Sequence, residues 1–194
     1  ITSPYPTAAL PDLRFVQSAD TMFIVHESYV PRKLTRTDHD AWTFTECDLI
    51  DGPYLDTNTT ATTLNPGATS GTGVALVASA NLFAATDVGR LVSLPGGNAT
   101  ITAFTDAQNV AVTINATLSA SSATTNWALG AFSGTTGYPS AVTFFEQRLI
   151  FAATTNEPQS IFMSKSGDYE NFTAGTNDDD AIIYQIASNQ VNNI

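Results

Sequence analysis

Several side chains in this sequence are of types that bind metals or act as nucleophiles. His26, His39 and Cys47, with Asp38 and Asp40, carry the nitrogen, sulfur and oxygen atoms that zinc prefers. Their spacing matches no zinc-binding pattern. A nucleophilic Cys47 would need a neighbouring base, and its alternating sequence context favours a buried, inert thiol. We therefore expect structural or solvent-exposed roles for all five residues.

Clustered carboxylates suggest two further chemistries. The Asn-Asp-Asp-Asp run at residues 177–180 is rich in the oxygen ligands of Ca²⁺, but it lacks the glycine and closing glutamate of an EF-hand loop. A solvated acidic turn before the strand pattern "AIIYQI" is the favoured interpretation. A glycosidase needs two carboxylates at a defined separation, which nothing in the sequence fixes. The candidates for such a pair are Glu146, Glu157, Asp168 and Glu170.

The remaining motifs are weaker. "GTG" at 71–73 lacks the third glycine of a dinucleotide site, and "GATSG" at 67–71 lacks the lysine of a phosphate-binding loop. Sequons of the N-x-T type, which arise readily in a Thr-rich chain, begin at Asn58, Asn98, Asn115 and Asn171. Aromatic residues that could stack on sugars, but that we assign to cores or inter-blade contacts, are Trp42, Trp127, Tyr138, Tyr169 and Phe172. The sequence thus predicts no catalytic, cofactor-binding or metal-binding residue and no enzyme activity.

Net charge argues against several classes of partner. The chain carries 18 acidic and 7 basic residues, for a net charge of −11. A phosphate-binding surface normally shows clustered Lys and Arg. The single cluster here, Arg32, Lys33 and Arg36, is followed at once by Asp38 and Asp40. Nucleic-acid binding and acidic membranes are therefore disfavoured, and no apolar run is long enough to predict a membrane span.

Composition changes twice along the chain and separates residues 1–50, 51–137 and 138–194. The middle part contains 17 Thr and 16 Ala but five charged residues, which marks a domain boundary. Its pattern predicts short strands near 59–64, 73–78, 90–94, 99–105, 109–114 and 126–132. It also predicts one short helix in "SANLFAATDVG", capped by Ser79 or Asn81 and ended by Gly89. The predicted core consists of Leu76, Phe83, Val88, Leu91, Val92, Ile101, Phe104, Val110, Val112, Ile114, Trp127, Leu129 and Phe132.

The two flanking parts share an order of features. When Pro31 is aligned with Pro158, Trp42 and Tyr169 each lie eleven residues beyond their proline. Both copies then contain a strand, a tight turn, a second strand, a loop with proline, a third strand, an Asp-rich turn and an aromatic strand. Similarity of two unrelated β-meanders is the alternative.

Upstream of the prolines the two copies differ by three residues. Phe15 lies sixteen residues before the first proline, and Phe145 lies thirteen before the second. We attribute the difference to a shorter hairpin turn at Glu146-Gln147. Repeated four-stranded units are typical of β-propeller blades, which need neighbours to bury both faces. The middle part is then a module inserted between two blades.

Three stretches carry a resemblance to a known family. "GYPSAVTFFEQRLIFAATTNEPQSIFMSKSGDYENF…DDDAIIYQIASNQVN" and "LPDLRFVQSADTMFIVHESYVPRKLTR" are similar to tailed-bacteriophage and prophage structural proteins of the tail-nozzle, or tail tubular protein B, type. "DVGRLVSL" lies in a module that resembles, in fold alone, a small β-barrel of ubiquitin-activating enzymes. The resemblance covers residues 13–194 and includes no catalytic motif. It implies a virion component whose copies form a ring around the DNA exit channel.

We therefore predict an all-β protein in which propeller-like four-stranded antiparallel units, 1–50 and 138–194, flank an inserted small β-barrel or sandwich module, 51–137. The chain begins with Ile1, so we expect a fragment whose last unit continues further. The expected function is non-enzymatic: a phage tail component that assembles into a DNA conduit. The alternative is a glycan- or protein-binding module of a tail or surface protein.

Partners and location follow from that interpretation. We expect contacts with other tail proteins and with copies of the chain, and passive contact with DNA at most. A host-surface glycan is a further candidate ligand. We expect no membrane partner and no cofactor. The expected location is the virion, after expression in the bacterial cytoplasm. Taken alone, the chain should be monomeric or weakly associated. The sequence-isolated Arg14, Arg90 and Arg148 should form local ion pairs or hydrogen bonds.

Overall fold

A computed structural model describes residues 1–187, and its regular structure is almost entirely antiparallel β-sheet. The chain forms two compact units, one made of residues 1–50 together with 136–194 and one made of residues 51–135. Short 3₁₀ turns at Thr7–Asp12 and Ala85–Asp87 are the helical segments of the described part. None of its helices has the length and apolar character needed to cross a bilayer.

The first sheet is a four-stranded antiparallel meander, which we call the first meander. Its strands, in both chain and sheet order, are β1 Arg14–Ser18, β2 Thr21–His26, β3 Tyr29–Arg36 and β4 Trp42–Glu46. Pro31 does not interrupt the sheet as expected, because it lies inside β3 at a bulge of that strand, where Val30 and Pro31 face the single residue Val25 of β2. A bulge is one of the few strand positions where the missing proline N–H costs no ladder hydrogen bond.

Residues 51–135 form a six-stranded sheet that curls into a half-barrel. Its strands are β5 Leu64–Pro66, β6 Gly71–Ala78, β7 Leu91–Leu94, β8 Gly97–Asp106, β9 Asn109–Ile114 and β10 Ala128–Leu129. The sheet order is β10-β7-β8-β9-β6-β5. The concave side encloses a core that includes Leu64, Leu76, Val92, Ile101, Val112 and Trp127. This unit has its own apolar interior.

Besides the strand predicted near 59–64, of which only Leu64 belongs to β5, two expectations for this unit are wrong. The predicted helix shrinks to Ala85–Asp87, because the amides of Leu82 and Phe83 donate to the carbonyl of Ala107 instead of forming helical bonds. Neither Ser79 nor Asn81 caps it. Val88 is 45% exposed and does not belong to the core, whereas Phe104 and Ile114 pack against the core from partly buried positions.

The second meander has the same strand order as the first. It consists of β11 Ala141–Phe145, β12 Arg148–Ala152, β13 Ser160–Met163 and β14 Ile182–Gln185. The fold is therefore all-β, with propeller-like four-stranded units flanking an inserted β-module. The aromatic strand expected at Tyr169 is wrong, since Tyr169 lies in the long loop before β14.

The two meanders correspond through a constant offset of 127 residues across their first hairpins. The β1–β2 turn is Ala19-Asp20 and the β11–β12 turn is Glu146-Gln147, so both contain two residues. The predicted difference at this turn is therefore wrong. The length difference in the structure has the opposite sign and lies in the next connection: the second meander is three residues longer there, because Phe23 pairs with Lys33 whereas its equivalent, Ile150, pairs with Met163.

Strand register assigns every side chain to one of two faces of each sheet. In the first meander we call these the Phe23 face and the Ile24 face; in the second, the Ile150 face and the Phe151 face. The offset makes the Phe23 face equivalent to the Ile150 face, and the Ile24 face equivalent to the Phe151 face.

Candidate functional site

The two meanders pack on each other through an aromatic cluster. The ring of Phe23 meets the rings of Phe144 and Tyr169 edge-on, with centroids 6.0 and 6.2 Å apart, and the Phe144 and Tyr169 rings are 4.8 Å apart. Phe144 belongs to the Phe151 face. The contact therefore joins the Phe23 face of one meander to the Phe151 face of the next, which are non-equivalent surfaces.

Charged groups fix the same contact at its other end. Glu170 accepts from the ammonium of Lys33 at 2.5 Å through Oε2 and from the amide of Asp48 at 2.6 Å through Oε1. The amide of Ile50 donates to the carbonyl of Glu170. One glutamate thus ties the third strand and the exit of the first meander to the long loop of the second. A half-buried pair with this many partners is worth more than an exposed one.

The acidic turn at 177–180 is held by an arginine of the second meander. The guanidinium of Arg148 donates to the carbonyls of Ser164, Asp178 and Asp180 at 2.7, 2.5 and 2.6 Å. Carbonyls of this kind would be calcium ligands, but here they already receive a permanently charged donor. Arg148 itself is buried. The turn is therefore closed by an internal cation.

Asp180 completes that closure. One carboxylate oxygen accepts from Lys165 Nζ at 2.8 Å, and the other accepts from the amide of Asn177 at 2.9 Å. The hydrogen bond from Lys165 is the main cause that lowers the pKa of Asp180, followed by the Asn177 amide. The same hydrogen bond raises the pKa of Lys165. Both groups remain charged across the neutral range.

All seven basic side chains have partners within the chain. Arg32 pairs with Glu46, Lys33 with Glu170, Arg36 with Asp20, Arg90 with Asp87 and Lys165 with Asp180. Arg14 and Arg148 donate to main-chain carbonyls. The expectation of local partners for Arg14, Arg90 and Arg148 is confirmed. The cluster at 32–36 therefore presents neutralised pairs instead of a basic patch.

An open cavity of about 530 Å³ lies beside β1 and β11. Its lining residues include Asp12, Arg14, Phe15, Glu27 and Ser140. Arg14 donates to the carbonyls of Pro11 and Leu13, so its charge is turned toward its own backbone. A wide cavity with two carboxylates and one aromatic ring has the chemistry of a weak polar-ligand site.

The suggested zinc set is divided by the fold. Asp38, His39 and Asp40 are exposed neighbours in the β3–β4 turn, with ligand atoms within 4.8 Å of one another. His26 is buried between Tyr5 and Tyr29, and its Nδ1 accepts from the Ser28 amide. Cys47 is also buried. Burial, with a smaller contribution from Glu170, raises the pKa of the Cys47 thiol well above its ordinary value, so the thiol stays protonated at neutral pH.

The four candidate glycosidase carboxylates have separate structural environments. Glu146 lies in the β11–β12 turn with a positive φ of 46°. Glu157 accepts from the hydroxyl of Ser160, and Asp168 accepts from the side-chain amide of Asn171. Glu170 is the residue that binds Lys33. Glu157 and Asp168 thus have partners in their own loops, whereas the partners of Glu170 lie in the first meander.

The side-chain amides of the four sequons are engaged in hydrogen bonds. Asn58 donates to the carbonyls of Thr60, Thr62 and Thr125 and organises a loop where a strand was predicted. Asn98 donates to Asp51, and Asn171 donates to Asp168. Asn115 donates to the side chains of Asn98 and Thr100. These asparagines have structural roles. The "GTG" at 71–73 opens strand β6.

The "DVGR" stretch forms a buried ion pair. Asp87 Oδ1 accepts from Arg90 at 2.9 Å, and Oδ2 accepts from the amide of Ala84 at 2.9 Å. Arg90 also donates from Nε to the carbonyl of Gly130 at 2.7 Å. Burial lowers the pKa of Arg90, and the charge of Asp87 opposes that shift. The pair joins the entry of β7 to the segment after β10.

Sequence reasoning missed the residues that make the contact between the meanders. Phe23, Phe144 and Lys33 lie in ordinary strand patterns, and only register shows that Phe23 and Lys33 share one face of the first meander while Phe144 lies on the Phe151 face of the second. Of the residues singled out from the sequence, Tyr169 and Glu170 do belong to this contact. The signal that could have found the others is the 127-residue offset, applied to the hairpin turns instead of to the aromatic residues.

No family model matches the chain, and no curated protein matches it significantly.

Proposed function

We propose that this chain is a non-enzymatic structural component of a phage tail, of the nozzle or tail-tube region, that assembles into a DNA conduit. The sequence resemblance described above motivates the assignment. One structural observation supports the conduit chemistry: each of the seven basic side chains is engaged by a carboxylate or a carbonyl of the same chain.

A conduit must let DNA pass without holding it. A wall that neutralises phosphates releases counterions and gains affinity, which would retard the strand at each contact. With 18 acidic residues and every cation already paired internally, the surface carries a net negative charge that repels phosphate. The packing of two similar meanders, non-equivalent face on non-equivalent face, is the arrangement by which propeller blades build a larger ring.

The assignment to a tail is tested by location. Gold-labelled antibody against the chain, applied to purified phage particles from lysates of the source host, should decorate the tail end of the particle. Mass spectrometry of the same particles should detect peptides of this chain, in an amount that corresponds to several copies per particle. Particles that carry neither label nor peptides would remove the tail assignment, whatever the fold does in isolation.

The cavity beside β1 and β11 favours one alternative, a glycan- or protein-binding module. Asp12 and Glu27 offer acceptors for sugar hydroxyls, and the ring of Phe15 is 64% exposed at the cavity lining. Titration of bacterial surface glycans followed by NMR should then shift the amides of residues 12–15 and 140–142. Shifts that saturate, and that are lost in Phe15→Ser, would favour this alternative over a purely structural role.

A further inference from the structure

Residues 1–12, which we call the N-terminal segment, pack on the first meander without joining its sheet. In the part of the chain that the structure describes, the hydrogen bonds of this segment join its residues to one another or to the adjacent Leu13 and Arg14. Its two residues that are not exposed are Tyr5 and Ala9. The segment is therefore held in place by side-chain packing.

Tyr5 occupies an aromatic pocket on the first meander. The pocket consists of His26 of β2, Tyr29 of β3 and Phe44 of β4, and we call these three residues the tyrosine pocket. Their ring centroids lie 6.5, 5.2 and 6.2 Å from the centroid of the Tyr5 ring. The rings of His26 and Tyr29 also meet edge-on, 5.0 Å apart. Aromatic pairs at such distances contribute more than their buried area alone.

The occupant of this pocket is an extended peptide with a proline on each side of its aromatic residue. Pro4 and Pro6 flank Tyr5, and Pro6 has φ −69° and ψ 163°, which is close to polyproline II. A proline also restricts the residue before it to extended conformations. Peptides of this kind are preformed for binding, and several domains recognise them in grooves lined by aromatic side chains. The segment thus shows which ligand chemistry fits the pocket.

The fit of Tyr5 is incomplete at its hydroxyl group. That group is buried and has no hydrogen-bond partner within the described residues. Burial raises the pKa of Tyr5, with the charge of Arg32 opposing the shift, so the hydroxyl is neutral at physiological pH. A buried hydroxyl without a partner has lost its hydrogen bonds to water and gained none. This penalty weakens the closed arrangement and favours release of the segment.

We propose that the tyrosine pocket is a peptide-binding site, which the N-terminal segment closes in cis and which accepts a partner protein when that segment is released. The partner's ligand is an extended peptide in which an aromatic residue adjoins proline. The tethered segment competes at an effective concentration in the millimolar range, so the pocket is closed to weak ligands. This binding activity goes beyond the structural role proposed above and does not depend on it.

The test uses full-length variants and a labelled synthetic peptide of residues 1–12, ITSPYPTAALPD, followed by fluorescence anisotropy. Tyr5→Ala empties the pocket, so this variant should bind the peptide saturably. Its affinity should be at least about tenfold higher than that of the wild type, whose own segment competes. A peptide that carries Tyr5→Phe lacks the unpartnered hydroxyl, and it should bind the Tyr5→Ala variant about tenfold more tightly than the natural peptide.

Two further substitutions, each combined with Tyr5→Ala, locate the binding. Phe44 and Trp42 both lie on the Ile24 face of β4, and Phe44 is the one of the two whose ring meets that of Tyr5. Phe44→Ser should therefore abolish binding, and Trp42→Ser is the matched control that should retain it. If Phe44→Ser unfolds, NMR of the Tyr5→Ala variant supplies the location, since the peptide should shift the amides of His26 and Tyr29.

Three results would overturn the proposal. They are no saturable binding to Tyr5→Ala up to about 1 mM peptide, equal affinity of Tyr5→Ala and the wild type, and equal affinity for the tyrosine and phenylalanine peptides. A wild-type chain that sediments as a dimer and returns to one copy in Tyr5→Ala would also contradict it, because the segment would then fill the pocket of a second copy.

Discussion

Glu170 and Lys33 are 137 residues apart in the chain, yet their carboxylate and ammonium are 2.5 Å apart and join the two meanders. The same carboxylate holds the amide of Asp48, so removing it leaves two donors without their acceptor. Both side chains are about one-quarter exposed or less, which limits screening by solvent. This residue pair is the most specific polar element of the contact.

Glu170→Ala should destabilise the meander unit by about 2 kcal/mol, because it removes two charge-assisted hydrogen bonds. Glu170→Gln should cost about half as much, since the amide oxygen still accepts from Asp48. The matched control is Asp20→Asn, which removes the exposed pair with Arg36 and should change stability by less than about 0.5 kcal/mol. Urea-dependent hydrogen exchange of peptides from the two meanders measures all three. Equal effects at Glu170 and Asp20 would contradict the assigned role.

Arg148 should be irreplaceable by lysine. Its planar guanidinium donates to three carbonyls at once. The compact ammonium of a lysine at this position would reach fewer of them. Arg148→Lys should destabilise the second meander by about 2 kcal/mol, and Arg148→Met by more, since buried carbonyls lose their donors. Arg14→Lys, whose partners are two exposed carbonyls, is the control with little expected change. Thermal unfolding followed by circular dichroism provides the comparison, and tolerance of lysine at position 148 would refute the clamp.

Stability of the meander unit should fall at acidic pH through Asp180. Its pKa is lowered in the folded chain, so its contribution is complete above the ordinary aspartate pKa of about 3.9 and is lost as pH falls through the lower folded value. Lys165 contributes to stability at the alkaline end of the pH range. Because its pKa is raised in the folded chain, this contribution is lost only as pH rises through the folded value. Asp180→Asn should flatten the acid limb of a stability–pH profile. Asp106→Asn, in the other unit, should leave the exchange of meander peptides unchanged.

Gly97 should tolerate no side chain. A Cβ at this position would lie 2.1 Å from the carbonyl oxygen of Ala116, and backbone cannot move aside cheaply. Gly97→Ala should therefore destabilise the half-barrel unit by about 1–3 kcal/mol. Gly67→Ala is the control, because its Cβ would meet the nearest atom at an ordinary 3.4 Å. If the two variants unfold at the same urea concentration, the packing of the β7–β8 turn described here is incorrect.

Strand existence and the sequential antiparallel pairing of the meanders could be predicted from this sequence, and strand register could not. Alternation located β1 to β4, β6, β8 and β9 closely, because period-two patterns in Val, Ile and Thr-rich segments have few other solutions. Tyr169 was assigned to a strand because the alignment of the two prolines matched it to Trp42. There, however, Asn171 donates to Asp168 and accepts from Thr173, and local side-chain bonds of this kind stabilise turns over strands.

The contact between the meanders depends on information that the pattern lacks. Phe23 and Ile24 are both apolar, and only the register of β2 against β1 and β3 decides which of them meets Phe144. The two prolines are not equivalent positions, since Pro31 lies inside β3 and Pro158 precedes β13, and their separation of 127 residues matches the offset of the first hairpins alone. The aromatic residues were matched by type and so gave a false turn-length difference. Hairpin turns, whose length fixes register, are the better anchors for such an alignment.

The central claim is that this chain is a structural part whose surface does not retain DNA. Fluorescence anisotropy of a labelled duplex, titrated with the chain to about 50 μM in moderate salt, should show no saturable binding. A variant carrying Asp20→Lys and Glu46→Lys, which releases Arg36 and Arg32 from their partners and adds positive charge beside them, should acquire weak, salt-sensitive binding and so calibrate the assay. Saturable, salt-sensitive binding of the wild-type chain near micromolar concentration would contradict the claim.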